Sequence, residues 1–205
     1  DGIGCAVHAG AKLYFRAPDG TQTELCADMN EAFSQSFTMK GVLYLMDGKT
    51  YRAVRKSSKN TAWEAVSVSG TAYVPTTTIS AAPTGGGTSY EAVNLLTPKR
   101  INTFIGDGTA TQFKVDATDL DETAVTAEVN GSAVTVSAVN RSTGMVTLAA
   151  APANGNGLAN VSIAFAKTVS GHADKINKCR FAGLYGGKND TRVFLSGNPD
   201  EPDCD

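Results

Sequence analysis

An all-β fold is predicted by three observations. Short runs alternate between apolar and polar residues, turn signals recur every eight to twelve residues through 101–168, and helix signals are sparse. Residues 12–16 read as a strand that turns through Pro18-Asp19-Gly20 into a second strand at 21–25. Residues 27–36 are the one short helix expected, with Asp28 as N-cap and Glu31 three residues on. Residues 41–46 turn at Asp47-Gly48 and return through 49–54. Asp-Gly between alternating apolar runs is among the strongest hairpin signals, because glycine supplies the positive φ that a tight reversal needs.

Residues 72–79 form the next expected strand, with an edge-type proline at Pro75. The stretch 82–89, rich in glycine, serine and threonine, reads as a flexible loop or linker. A short apolar stretch at 90–96 follows and is closed by Pro98-Lys99-Arg100. Within 101–168, alternation is plain in Phe113-Lys114-Val115, in Val134-Thr135-Val136 and in Met145-Val146-Thr147-Leu148. Asp107-Gly108, Asn130-Gly131, Ser142-Thr143-Gly144 and residues 151–155 supply the reversals, so this stretch reads as one small β-sandwich. Residues 180–185 turn through 186–190 into a strand at 191–196. Three hairpins containing Leu-Tyr imply an internal repeat of the kind that builds β-propeller blades. Domain boundaries are expected near residue 99 and at 168–171. The sandwich, 99–168, then interrupts a β-rich host made of 1–98 plus 169–205.

Two sets of motifs carry a resemblance. The layout Gly106-Asp107-Gly108-Thr109…Phe113, Val129-Asn130-Gly131, Asn140…Thr143-Gly144-Met145-Val146-Thr147-Leu148 and Ala151-Pro152-Ala153-Asn154-Gly155 resembles the immunoglobulin-like modules of tailed-phage structural proteins. Residues 39–54, 72–80 with 90–100, and 183–203 are similar to prophage-encoded virion proteins of low-GC Gram-positive bacteria. In that family propeller-like β-structure carries an inserted immunoglobulin-like module. The resemblance covers nearly the whole chain, and its most specific element is residues 184–199. It implies propeller-like antiparallel hairpins interrupted by an immunoglobulin-like β-sandwich. It also implies a structural role in the tail or at the head–tail junction of a virion made in a bacterial cytoplasm. The expected partners are other virion proteins and further copies of this chain. A propeller would continue with another strand after Ser196-Gly197-Asn198-Pro199, which leaves open whether any ring closes. The first residue is Asp1, as expected of a processed product or an excised fragment.

Bulk properties narrow the function classes. The 41% hydrophobic content supports a buried core. With 18 basic against 20 acidic residues, the net charge of -2 argues against a nucleic-acid surface. Arg52, Arg55, Lys56 and Lys59 form the one local basic run and read as a solvated edge. No apolar run approaches membrane-spanning length, and no signal-peptide pattern is present. Cys5, Cys26, Cys179 and Cys204 have no C-x-x-C spacing, and only His8 and His172 accompany them, so structural zinc finds no support. Reduced thiols are expected, with disulfides between the chain ends left open.

No catalytic, cofactor-binding or metal-ligating residue stands out, and a non-enzymatic function is expected. Residues 183–189 superficially match a phosphate-binding loop, but only three residues separate Gly183 from Gly187-Lys188 and Asn189 follows, so a hairpin turn is the better reading. Asp116, Asp119, Asp121 and Glu122 gather carboxylates of the kind calcium favours, without EF-hand spacing, and read as a solvated rim loop. Asp200, Glu201, Asp203 and Asp205 read as a frayed acidic tail. His8 and His172 lack a nucleophile elbow. Most aromatics sit at period two and read as core, with Trp63 the candidate exception. The rival function is an adhesin whose sandwich loops or aromatic rim grip host-surface glycan. An enzyme acting on cell-wall polymer has the least support.

Overall fold

A computed structural model describes residues 4–57, 62–186 and 192–202. The chain is all-β and divides into two compact units. The first unit takes both ends of the chain, 1–71 and 171–205, and the second is the continuous stretch 72–170.

The first unit is a set of antiparallel meanders. Strands β1 (Cys5–Ala9), β2 (Lys12–Arg16) and β3 (Gln22–Cys26) form a three-stranded sheet in sequence order. Strands β4 (Gln35–Met39), β5 (Val42–Met46), β6 (Tyr51–Lys56) and β7 (Trp63–Ser67) form a four-stranded one. Local turn chemistry sets both registers. Between β4 and β5, Lys40 and Gly41 take φ of 51° and 76°, the positive pair that a two-residue hairpin matched to strand twist requires. Between β5 and β6 the buried Asp47 carboxylate does the work. Its Oδ1 accepts from the backbone N–H of Lys49 at 2.9 Å and of Thr50 at 2.5 Å, and its Oδ2 accepts from the Asn30 N–H at 2.7 Å.

That last bond explains a difference from expectation. Residues 27–36 form no helix: Gln35 opens β4, and the stretch before it runs as an irregular connection. Met29 is buried among Leu13, Leu45 and Val54, its N–H bonds the Ala11 carbonyl at 3.0 Å, and the Asn30 amide donates to the Asp47 carbonyl at 2.9 Å. Tertiary contacts at three groups outweigh a weak local helix signal, which is worth only tenths of a kcal/mol per residue. The cluster around Leu13 joins the two meanders, with Trp63 and Ala65 of β7 packed against it. The one described α-helix is α1 (His172–Asn177), entered through Gly171 at φ 80°. Asn198 holds it from outside, its amide donating to the carbonyls of Asp174 and Lys175 at 3.3 and 3.2 Å. Strands β17 (Phe181–Tyr185) and β18 (Arg192–Ser196) pair as a hairpin. Gln35 bonds both backbone groups of Ala182, which places β17 beside β4.

The second unit is built from two sheets. Strands β8 (Thr76–Ala81), β9 (Thr88–Ser89), β10 (Lys99–Phe104), β12 (Thr126–Val129), β13 (Ser132–Val134) and β16 (Val161–Ala166) make a six-stranded sheet in the order β13-β12-β16-β10-β8-β9. Strands β11 (Gln112–Lys114), β14 (Val136–Asn140) and β15 (Met145–Leu148) make a three-stranded one in the order β11-β15-β14. All pairings are antiparallel except β8 with β10. The sheets share one core: Phe104, Ala127, Val161, Ile163 and Phe165 from the larger, Phe113, Val146 and Leu148 from the smaller. Phe104 and Phe113 meet edge to face across it, with centroids 5.4 Å apart at 70°.

The unit begins at Ala72, earlier than residue 99, because β8 hydrogen-bonds to β10 and carries Ala81 into the core. Residues 82–87 are accordingly a turn within this unit, leading into β9, and not a linker. Gly85, Gly86 and Gly87 all take positive φ, and the Pro83 carbonyl accepts the Lys114 N–H at 2.9 Å. Pro75 precedes an interior strand rather than an edge, and its carbonyl accepts the Ile101 N–H. Among the described residues no sheet closes on itself, and no helix is long and apolar enough to cross a membrane.

Two outcomes follow. Phe113→Ala is expected to cost about 3–5 kcal/mol in urea unfolding, by lost transfer energy plus the cavity left under both sheets. Tyr51, with the Tyr44 ring 5.9 Å away, is pushed by burial up to about 12 from its ordinary 10. The folded chain then holds this proton more tightly than the unfolded chain, so the contribution is complete below pH 10 and is lost as pH rises toward 12. Alkaline unfolding followed by circular dichroism checks this, and Tyr51→Phe should flatten that limb.

Candidate functional site

One concavity of the second unit is an open cleft of about 570 Å³ lined by residues of both sheets. Asp116, an exposed residue of its lining, belongs to a polar network whose other members, Asn102, Thr77 and Thr78, are buried. Arg100, Asn102 and Phe104 alternate along β10 onto its core-facing side, so Asn102 sits between the aromatic core and the cleft. The Asn102 amide donates to Thr77 Oγ1 at 2.9 Å, and its Oδ1 accepts the Asp116 N–H at 2.8 Å. Thr77 and Thr78 in turn donate their hydroxyls to Asp116 Oδ2 at 2.6 and 2.8 Å. Three segments remote in sequence are thus locked by side-chain bonds with no buried atom of this network left over.

Three cations, Arg100, Lys114 and Lys167, line the cleft with Asp116, the one carboxylate among its described lining residues. Lys167 Nζ donates to the Asp119 carbonyl at 2.9 Å, and Lys114 Nζ donates to the Thr143 carbonyl. Both acceptors are neutral, so the ammonium groups are positioned without being neutralised. The Gly85 turn closes down on Lys114, since a Cβ at Gly85 would lie 3.1 Å from Lys114 Cγ. No known protein family, no characterised protein and no solved structure matches this chain. The reading of its surfaces therefore rests on their own chemistry.

The sequence-derived candidates fall elsewhere. In the 116–122 loop each carboxylate has its own protein donor. Asp119 Oδ2 accepts from Thr118, Asp121 takes the N–H and hydroxyl of Thr168, and Glu122 pairs with Arg141 at 2.9 Å. Among the described residues no three His, Cys, Asp or Glu side chains gather as a metal set. Asp200 and Glu201 pair with Lys178 and Lys175, while Asp203 and Asp205 lie outside the described residues. In the basic run, Arg52 pairs with Asp28, Arg55 with Glu64, and Lys56 lies over the Trp63 ring at 5.9 Å; Lys59 lies outside the described residues. Trp63 is half-buried and stacked on Phe15, centroids 4.6 Å apart, so it acts as a packing residue.

His8, Leu13 and Cys26 lie directly opposite one another across β1, β2 and β3. Two strand spacings, about 10 Å, separate the histidine from the cysteine, beyond hydrogen-bond reach. Burial also pushes the Cys26 thiol up from its ordinary value, opposed by the nearby Arg52. His172 stands at the first position of α1. Gly183–Tyr185 of the glycine-lysine stretch belong to β17, and residues 187–190 lie outside the described residues.

The sequence reading missed the cation cleft. Its three charges stand at positions 100, 114 and 167, on separate strands and loops, and no local pattern links them. It also took Phe181, Tyr185 and Phe194 for core, whereas they are 61%, 60% and 57% exposed.

The network gives a direct test. Asn102→Ala leaves the Asp116 N–H without its acceptor and Thr77 without its donor, and should cost about 1–3 kcal/mol for each buried group left unpaired. Urea unfolding measures it, and a loss below about half a kcal/mol would show the network to be dispensable.

Proposed function

We propose that this chain is a non-enzymatic structural component of a phage or prophage virion, acting in tail or head–tail assembly. The observation that carries the reading is the β17–β18 hairpin. Phe181, Tyr185 and Phe194 stand on one face of it and are more than half exposed. Tyr185 and Phe194 contact edge to face at 5.6 Å, so the aromatic patch is organised before any partner arrives. Contiguous exposed apolar surface marks protein–protein contact, and rigid aromatic rings give contact area at little ordering cost.

The architecture supports the same reading. Short antiparallel meanders flanking a continuous two-sheet unit are compatible with a propeller-like host that carries an immunoglobulin-like module. Rigid β-units that present several surfaces suit repeated weak contacts, which sum through avidity in a particle.

Light scattering on the purified chain tests this. A defined oligomer is expected, with Phe194→Thr and Tyr185→Thr shifting it toward monomer by about tenfold in dissociation constant, as for truncation of an aromatic anchor. Threonine keeps strand propensity, so the variants should retain their unfolding midpoint. A chain that is monomeric at every concentration would overturn self-assembly as the role of this face.

A further inference from the structure

The cation cleft of the second unit is left unused by that reading, and its charge runs against the rest of the molecule. Arg100, Lys114 and Lys167 face a single carboxylate there, in a chain whose net charge is -2. That carboxylate, Asp116, is already engaged by the hydroxyls of Thr77 and Thr78. The two lysines are held by neutral carbonyls, and the Arg100 guanidinium has no hydrogen-bond or ion-pair partner among the described residues. Two positive charges in excess among the lining residues, beside a carboxylate that is already hydrogen-bonded, make a receptor for oxyanions.

The lining narrows the ligand. No aromatic side chain borders the cleft, so neither a nucleobase nor a sugar ring finds a stacking platform. The donors are side-chain cations spread over a cleft of about 570 Å³, not a nest of backbone amides closed around one phosphate. Ala117 and Val169 lie among the charges and offer apolar contact to aliphatic stems. Carboxylates carried on short methylene stems fit both requirements.

We infer that this cleft docks an acidic peptide segment of a partner protein, with its carboxylates paired by Arg100, Lys114 and Lys167. The inference rests on the assembly reading only in taking the partner to be a protein.

The test uses the full chain and a fluorescein-labelled hexaglutamate peptide, followed by anisotropy at low and at moderate salt. Saturable binding that weakens with salt is expected. Arg100→Gln should weaken it about fivefold and Arg100→Gln with Lys167→Gln about twenty-fivefold, with the thermal midpoint kept. Absence of binding, or binding untouched by the double variant, would overturn the inference. So would inorganic phosphate competing as well as the peptide at equal ionic strength, which would make the site one for free oxyanions. Tighter binding of dextran sulfate through the same residues would transfer it to acidic glycan. Light scattering on the same samples separates the two ideas: monomers that bind the peptide sink self-assembly alone, and oligomers that do not bind it sink the cleft alone.

Discussion

One buried amide, that of Asn102, ties together three segments of the second unit. Through Thr77 it holds the parallel strand β8, and through the Asp116 backbone it holds the end of β11 in the opposite sheet. The β8–β10 pairing has two register shifts, so its ladder alone is irregular. Side-chain bonds supply what the ladder lacks. Parallel strands require a long crossover and gain slightly less per pair than antiparallel ones, so such a fastening decides whether β8 joins the sheet at all. The cleft depends on the same bonds, because they set the distance between β10 and the Lys114–Asp116 corner.

Legibility in the sequence followed the range of the interactions. The hairpins at 41–54 and 126–134 were readable because alternation and an Asp-Gly or Asn-Gly turn lie within a dozen residues of each other. Residues 27–36 were misread because their conformation is decided by Asp47 and Ala11, which no window centred on Asp28 contains. The glycine run 85–87 was misread because composition reports conformational freedom and not the partner that removes it, here the Lys114 strand. The cation cleft was unreadable in principle: it exists only once β10, β11 and the end of β16 are brought together.

The two units expose opposite chemistries. Unit one carries an exposed aromatic face, and unit two carries a cationic cleft whose field is screened within about 10 Å at moderate ionic strength. A protein that uses both reads two properties of its surroundings, surface apolarity and charge, through surfaces that mutate independently.

The pairing geometry around β10 has a further consequence for how such a unit comes to sit inside another protein. Thr76 pairs beside Ile101 on one flank of β10, and Ala166 pairs beside Lys99 on the other. Entry and exit of the chain therefore leave the six-stranded sheet at the same end, two strand spacings apart, or about 10 Å. A peptide of about four residues spans that gap. The insertion behaves as a cassette with adjacent leads. Leads this close place little geometric demand on the chain that carries the unit.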